Sequence, residues 1–364
     1  MNNKETYHKW VGVLLSIILN GSAHFLSGKR SAGMKWYFGL FACGLMGIIL
    51  ISMPGTVAYA LGATFGFASI ALWCVMIKQS YRPVKRIGFL GWLAVIVLAL
   101  ILNNGASYLM RQFISTYKMP TGSMQPTIFG VHSNPTSKPG VVQQIISGQK
   151  YIEIKAENSG TLSRPNFSTL SSPWTYTIDS HSYELPRFAI PFKVLGEHIS
   201  IGETLWAGII TSGDRLFVEQ LSYRFRDPKR GDIVVFKTEG IEGIQSGAFY
   251  MKRIAGLPGE RIRIEPPYLI VNDQKVMEPE IFNIISSKSY GYSGFLLAHN
   301  GPKIKSKLTT TNDCVTLGEN EYFVTDDNSP NSLDCRYFEP VPRDNIIGKV
   351  TRIYYPLARI NKLR

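Results

Sequence analysis

The residues best suited to chemistry lie in three short polar segments. The first is Met119-Pro-Thr-Gly-Ser-Met-Gln-Pro-Thr127, in which prolines stiffen the backbone on both sides of a permissive turn. Such a turn can present the hydroxyl of Ser123 in a fixed direction, as a nucleophile requires. An ordinary loop rich in turn formers is the alternative for this segment taken alone.

The second segment is Tyr250-Met-Lys-Arg-Ile-Ala-Gly-Leu-Pro-Gly259, which has the apolar character of a β-strand. Alternation along a strand puts Lys252 and Arg253 on opposite faces, so we expect one to point inward and the other to be solvated. A lysine in an apolar environment loses proton affinity, and a neutral lysine can take a proton from a serine. A solvated surface pair is the alternative.

The third segment, Thr325-Asp-Asp-Asn-Ser-Pro-Asn-Ser-Leu-Asp-Cys-Arg336, is dense in turn formers, and an Asx-rich loop is its plain interpretation. In an extended conformation Asp334 and Arg336 share one face and can pair. Ser332 is a candidate second hydroxyl near the lysine.

These residue types favour a serine–lysine pair over a triad with histidine. The six histidines lie outside the three segments, at His8, His24, His132, His181, His198 and His299. In a serine–lysine mechanism the neutral amine accepts the hydroxyl proton and later protonates the leaving amine. This chemistry needs no metal or cofactor, and we find no CxxC pair or HExxH motif typical of zinc sites.

Three apolar stretches precede these segments and are long enough to span a bilayer: Trp36–Met53, Thr56–Ile77 and Ile87–Met110. A weaker stretch, Trp10–Leu26, contains polar residues in its second half. It is either a fourth span, a re-entrant hairpin or an interfacial helix. We therefore predict an anchor region of three to four spans in residues 1–110.

Charge predicts the orientation of these spans. Residues 1–120 contain eleven lysines or arginines and a single acidic residue, whereas the remaining chain is nearly balanced. The basic residues concentrate before Trp36 and between Lys78 and Arg86, and the positive-inside rule makes both loops cytoplasmic. The chain after Met110 is then extracytoplasmic. The excess of positive charge accordingly predicts membrane orientation and does not indicate binding to nucleic acid.

The hydropathy pattern changes after residue 110, where short segments of alternating polar and apolar residues, separated by Gly and Pro, replace the long apolar runs. They predict strands at Arg215–Glu219, Asp232–Lys237, Arg261–Ile264, Tyr268–Val271 and Lys349–Tyr354. The fold class is therefore N-terminal transmembrane α-helices followed by a mainly-β catalytic domain, 111–364. Residues 129–213 and 272–318 are expected to be decorating loops and hairpins.

Four cysteines divide between the two regions. Cys43 and Cys74 lie in apolar runs, where cysteines are usually inert. Cys314 and Cys335 lie in the polar part, and outside the cytosol they are candidates for a disulfide that closes the third segment.

The three segments, in this order, resemble signal peptidase I, also called leader peptidase, over roughly residues 115–350. Gly213-Asp-Arg-Leu-Phe-Val218 and Arg230-Gly-Asp-Ile-Val-Val-Phe236 resemble the core strands of that family. The resemblance implies Ser123 as nucleophile and Lys252 as general base. It also implies that Thr121 and the backbone N–H of Ser123 form the oxyanion hole.

The resemblance assigns supporting roles as well. Ser332 matches the serine that orients the lysine, and Asp334 and Arg336 match a structural ion pair. Met124 and Tyr250 are expected in the substrate cleft, with Met124 on its apolar rim.

The chain departs from the family pattern at two positions. Thr121 stands where the family often has serine, and it keeps the hydroxyl while restricting the rotamer. Asp326 stands at the glycine of the family's usual Gly-Asp-Asn, which puts the local backbone beside the lysine in question.

The function implied by the resemblance is removal of signal peptides from exported precursors at the outer face of the bacterial cytoplasmic membrane. The partners implied are those signal peptides and membrane lipid, without nucleic acid. Two alternatives remain open: a peptidase dedicated to one specialised export or conjugation system, and a non-catalytic membrane accessory protein of the same fold.

Overall fold

The computed structural model describes residues 6–52, 56–111, 114–166, 174–186, 191–299, 306–360 and 363. The chain divides into two compact units. The first comprises residues 1–115 with 219–221, and the second comprises residues 116–218 with 222–364.

The first unit is helical. Its elements are β1 (Thr6–Tyr7), α1 (Lys9–Ile18), α2 (Ser22–Leu26), α3 (Arg30–Ser52), α4 (Thr56–Gln79), β2 (Val84–Lys85) and α5 (Phe89–Arg111). By length and composition, α3 and α4 contain stretches able to cross a membrane, Arg30–Ile51 and Ala60–Gln79, and they correspond to the first two predicted spans. The third predicted span corresponds to α5, whose apolar stretch among the described residues is shorter, Phe89–Gly105.

The weak apolar stretch near the N-terminus is not one continuous helix. It consists of α1 and α2, which are separated by a turn in which Gly21 adopts a left-handed conformation with φ of 83°. Both helices pack against the ends of α3 and α4 that border the basic loops. The hydroxyl of Ser80 donates to Ser16 at 2.9 Å, and a Cβ on Gly21 would lie 2.2 Å from the carbonyl oxygen of Gly33. The β1–β2 pair joins Thr6 to Lys85 at this same end.

The second unit is built mainly of strands. They are β3 (Ile114–Lys118), β4 (Val131–Pro135), β5 (Gln149–Lys155), β6 (Gly160–Asn166), β7 (Trp174–Ile178), β8 (His181–Leu185), β9 (His198–Ile199), β10 (Thr204–Ser212), β11 (Arg215–Glu219), β12 (Ile233–Lys237), β13 (Phe249–Gly256), β14 (Arg261–Glu265), β15 (Tyr268–Val271), β16 (Gln274–Lys275), β17 (Val315–Thr316), β18 (Glu321–Thr325), β19 (Val341–Pro342) and β20 (Ile346–Tyr355). Two short helices accompany them, α6 (Val141–Ser147) and α7 (Ile281–Ser286).

A seven-stranded sheet forms the centre of the mainly-β part, in the order β19-β18-β13-β12-β20-β11-β3. Strand β13 pairs antiparallel with β12 on one side and with β18 on the other. The odd and even residues of β12 enter two different hydrophobic clusters. Val234 and Phe236 pack with Ile254, whereas Val235 packs with Met251 and Met124. This part of the sheet is therefore covered on both faces.

Residues 129–213 form more than decorating loops. Strands β4, β10 and β5 make one three-stranded sheet, and β8, β7, β6 and β9 make a four-stranded sheet. A separate hydrophobic cluster holds these strands together, with Trp206, Leu162 and Ile178 almost fully buried. The segment has its own small core because its alternating apolar residues meet between the two sheets.

The predicted fold class, apolar N-terminal helices followed by a mainly-β domain, is confirmed. The five strands predicted from alternation are present as β11, β12, β14, β15 and β20, with β20 longer than predicted.

The expectation of a disulfide between Cys314 and Cys335 is wrong, because both thiols are free. Cys335 is fully buried in the main core and its sulfur accepts a hydrogen bond from the amide of Val324 at 3.3 Å. Cys314 is exposed. The two side chains therefore lie in different environments.

Candidate active site

The turn that carries Ser123 is fixed at several points by its backbone. The amide of Met119 donates to the carbonyl of Asp214 at 2.9 Å, and the amide of Ile128 donates to the carbonyl of Met124 at 2.9 Å. Gly130 lies so close beneath the turn that a Cβ there would be 2.1 Å from the carbonyl oxygen of Thr121. These contacts hold Thr121 and Ser123 in one tight turn, as the flanking prolines predict.

Met124 does not lie on an exposed rim. It is fully buried in the cluster that includes Val235 and Met251, and its assignment to the substrate cleft stays a prediction. The Met124 side chain anchors the turn that carries Ser123 in the core. The reason is that the sheet face with Val235 and Met251 is covered, and alternation within one strand does not reveal what covers a face.

Lys252 lies in β13 and is 4 % exposed. Its ammonium group forms an ion pair with the Oδ2 atom of Asp326, and it lies 5.4 Å from the ring centroid of Tyr250. Tyr250 is partly exposed beside it. The expectation that Lys252 points inward agrees with its burial, and the assignment of Tyr250 to the substrate cleft stays a prediction.

Asp326 directly follows β18 and its side chain is fully buried. Its amide donates to the Oδ2 atom of Asp334 at 3.1 Å. Burial raises the pKa of the Asp326 carboxyl to about 6, while the charge of Lys252 and hydrogen bonding from the side chain of Ser123 oppose that increase. A single buried carboxyl thus interacts with both residues of the predicted dyad.

Arg253 is not solvated, contrary to the expectation from strand alternation. It is 2 % exposed, and its guanidinium binds both carboxylate oxygens of Asp327, with Nε–Oδ1 and Nη2–Oδ2 distances of 2.7 and 2.6 Å. The Oδ2 atom of Asp327 also accepts from the hydroxyl of Thr127. Both faces of β13 are covered, so adjacent charged side chains are buried on opposite faces, each with its own aspartate.

The third sequence segment folds around a buried ion pair. The Nε atom of Arg336 lies 2.8 Å from Oδ1 of Asp334. The hydroxyl of Ser332 donates to Oδ2 of Asp334 at 3.0 Å and accepts from Arg336. Although burial opposes it, the charge of Arg336 lowers the pKa of Asp334. The structure thus gives the Ser332 hydroxyl partners within its own loop, and its role toward the lysine stays a prediction.

Asn328 is a site residue that sequence reasoning missed. Its backbone amide donates to the carbonyl of Ser123 at 2.9 Å, and its side-chain amide donates to the carbonyl of Gly122 at 2.9 Å. These two bonds tie the loop after β18 to the turn of the nucleophile. The segment was singled out by its density of turn formers, but nothing in the sequence indicates which carbonyls such a residue binds.

The structure therefore brings three distant segments into one site. Ser123, Lys252 and Asp326 are neighbours, Thr121 lies in the same turn as Ser123, and Asp334 and Arg336 support the loop that carries Asp326. A hydroxyl, a buried amine and backbone N–H donors in a tight turn can together perform acyl transfer.

Comparison with known proteins supports this chemistry. The family model described as signal peptidase, peptidase S26, matches residues 192–355. That range includes Lys252 and the third segment, whereas Ser123 lies before it.

Curated relatives extend the match. Probable signal peptidase I-2 of Synechocystis sp. is 32% identical over 151 residues, which cover 41% of this chain and 59% of the relative. Signal peptidase I U of Bacillus subtilis is 33% identical over 179 residues, which cover 49% of this chain and 81% of the relative. The match thus spans about three fifths of the first relative's length.

A solved structure of signal peptidase I from Enterococcus faecalis shares 26% sequence identity and matches 35% of this chain and 98% of that chain, with a TM-score of 0.25.

By length and composition, the chain has helices able to span a membrane, and they are followed by a mainly-β domain that contains a tight turn with Ser123 and a buried Lys252. The chain belongs to the signal peptidase I family, peptidase S26.

Proposed function

We propose that the protein is an endopeptidase that removes signal peptides from exported precursor proteins, with Ser123 as nucleophile and Lys252 as general base. The observation that carries this proposal is the meeting of Ser123 and Lys252 at one buried carboxyl group, although the two residues lie in separate segments. Membership of the family supports the substrate class.

The proposed reaction has two halves. Neutral Lys252 takes the proton of the Ser123 hydroxyl while the oxygen attacks the scissile carbonyl, and the ammonium then protonates the leaving amine. The backbone N–H of Ser123 and the hydroxyl of Thr121 donate to the oxyanion, a stabilisation typically worth about 3 kcal/mol per donor. Water, deprotonated by the same amine, then releases the cleaved signal peptide from Ser123.

The proposed location is the outer face of a bacterial cytoplasmic membrane, with several passes. Two helices have the length and composition of spans, and the basic residues lie around the start of α3 and from the last turn of α4 to the start of α5. The positive-inside rule then places these loops in the cytoplasm and residues beyond α5 outside, where the cleavage site of an exported precursor emerges. The partners in this proposal are signal peptides and membrane lipid.

The test is cleavage of a panel of purified signal-bearing precursors by the full-length protein in detergent micelles. We expect Ser123→Ala to lower the cleavage rate at least about a thousandfold, because the nucleophile is lost. Lys252→Arg should lose activity to a similar extent although it keeps the positive charge, because arginine does not give up its proton. Ser137→Ala, at an exposed position in the same unit, is the control and should cleave like the parent.

The panel also separates the two alternatives. Cleavage of many unrelated precursors supports a general signal peptidase, and cleavage of one or two supports a peptidase dedicated to a particular system. If no precursor is cleaved, or if Ser123→Ala cleaves at the parent rate, the proposed mechanism is wrong.

A further inference from the structure

We propose that Asp326 is a positioning residue of the active site, whose carboxylate holds Lys252 beside Ser123 and stabilises the ammonium ion formed when the lysine takes the serine proton. The inference deepens the proposed function and rests on it. It extends the serine–lysine pair to a serine–lysine–aspartate arrangement in this chain.

The first support is the burial of the pair. The side chains of Lys252 and Asp326 are 5 % and 0 % exposed, and they form an ion pair. Burying two charges costs several kcal/mol, and a buried ion pair is often no more stabilising than a hydrophobic pair of similar size. Burial therefore does not by itself explain the pair through stability, and since the Arg253–Asp327 pair is equally buried, the bonding of the two aspartates has to distinguish them.

The neighbouring Asp327 provides an internal comparison. Both of its carboxylate oxygens are bonded, to two guanidinium nitrogens of Arg253 and to Thr127, as expected of a structural ion pair. Asp326 differs, because its Oδ1 atom is buried without a hydrogen-bond partner among the described residues. Two adjacent aspartates of the same loop thus have different bonding, and the incompletely bonded one is the neighbour of Ser123.

The proton balance explains what the carboxylate does. Before attack, Lys252 is a neutral amine beside the Asp326 carboxylate. When the Ser123 oxygen bonds to the scissile carbon, its proton moves to the amine, and the new ammonium lies against a negative charge. The carboxylate stays ionised throughout. Lys252 returns to the neutral amine when its ammonium protonates the leaving amine. The Asp326 carboxylate thus increases the proton affinity of the Lys252 amine. As a consequence, the amine becomes neutral only at a higher pH.

Other titratable groups lie near Lys252 and Asp326. The charge of Asp334 acts on Asp326 but is paired with Arg336, and the thiol of Cys335 is buried with its pKa raised by that burial. The ring of Tyr250 faces Lys252 from the same strand. Among the described residues, the charged group in direct contact with the amine is Asp326.

The experiment compares pH–rate profiles of the full-length parent, Asp326→Asn and the control Glu339→Gln in detergent micelles. Glu339 is half-exposed and pairs with Lys307, away from the dyad. We expect Asp326→Asn to lower the midpoint of the acid limb by at least about one pH unit and the plateau rate at least about tenfold. Glu339→Gln should leave both unchanged. A purely structural role would lower the rate without moving the midpoint.

A second readout does not depend on cleavage. Acetylation of Lys252 by acetic anhydride, followed by mass spectrometry, reports the pH at which the amine becomes neutral. We expect labelling to begin at lower pH in Asp326→Asn than in the parent. Coincident labelling midpoints would overturn the inference even if no precursor is cleaved.

The outcomes separate the two proposals. Cleavage that survives Ser123→Ala contradicts the proposed function, whereas cleavage that requires Ser123 but shows an unshifted profile in Asp326→Asn contradicts this inference alone. Should Asp326→Asn not fold, Asp326→Gly removes the same carboxylate with a smaller side chain. If neither variant folds while Glu339→Gln does, the carboxylate is structural and the inference is wrong.

Discussion

The ion pairs at this site differ in how many hydrogen bonds their carboxylates form. Asp327 and Arg253 satisfy each other in two parallel hydrogen bonds, and Asp334 and Arg336 do the same one turn of loop further on. Such bidentate pairs fix the loop geometry. Lys252 and Asp326 are the sequence neighbours of Arg253 and Asp327, and the amide of Asp326 donates to Asp334. The rigid pairs therefore provide a frame in which a single amine and carboxylate can be held next to Ser123.

Asn328 gives a prediction at this scale. Asn328→Ala removes the hydrogen bond to the carbonyl of Gly122 and keeps the backbone bond to Ser123. One hydrogen bond is worth about 1 kcal/mol, so we expect kcat for precursor cleavage to fall about fivefold with KM little changed. Steady-state kinetics on a purified precursor measures both constants.

The matched control is Asn331→Ala, which changes the same residue type at an exposed position of the same loop. It should retain the parent kcat. If Asn328→Ala and Asn331→Ala behave alike, the bond to Gly122 does not position the turn.

At the scale of elements, the nucleophile turn depends on its contact with the segment leading into β4. Gly130 lies under Thr121, and the nearest atoms to a hypothetical Cβ are backbone atoms of Thr121 and Gly122. Backbone atoms in a pinned turn cannot swing aside as a flexible side chain can. The absence of a side chain at residue 130 therefore helps to determine where the backbone of Thr121 and Gly122 lies.

Gly130→Ala should displace this turn while the sheet stays folded. A displacement of about 1 Å at a catalytic group can cost about a hundredfold in rate, and we expect a loss of that order in kcat/KM. Gly140→Ala is the matched control, because a Cβ there has open space around it. Thermal unfolding of both variants distinguishes displacement from unfolding, and parent-like activity of Gly130→Ala would contradict the expectation.

For the whole molecule, the first unit bears on the number of membrane passes. The helices α1 and α2 contact the region around Ser80 and Gly33, at the ends of α4 and α3 that border the basic loops. The N-terminal β1 pairs with β2, between α4 and α5. Because this segment begins and ends beside the basic loops, we propose that it does not cross the bilayer, and we expect three spans with a cytoplasmic N-terminus.

Cysteine labelling tests this topology in intact cells, in a protein whose four native cysteines are replaced. A membrane-impermeant maleimide should label a cysteine at Ser137 and should leave His8→Cys and Lys85→Cys unlabelled until the membrane is permeabilised. All three positions are exposed in the structure, so access depends on the membrane. Labelling of His8→Cys in intact cells would favour four spans, and labelling of Lys85→Cys would reverse the orientation.

The sequence determined those features that depend on local pattern. Alternation at Tyr268–Val271 and Arg215–Glu219 predicted strands with the bounds that the structure has. Apolar length predicted the long helices, and the residue types at Ser123 and Lys252 are the basis of the proposed chemistry, which stays a prediction. These properties can be recognised in the linear sequence, because a strand period, a helix length and a functional group are each contained in consecutive residues.

Tertiary structure decided whatever depends on the second face of the sheet and on the pairing of distant segments. Arg253 and Met124 are buried because clusters cover both sides of β13, and alternation within one strand cannot reveal what packs on its far face. The thiols of Cys314 and Cys335 stay free because the fold places one at the surface and the other in the core. In the sequence, Asp326 is recognisable only as a residue that stands where the family pattern has glycine. The folded chain puts its carboxylate against Lys252. An ion pair between remote segments depends on the packing of the strands that carry them, which the sequence of either segment does not contain.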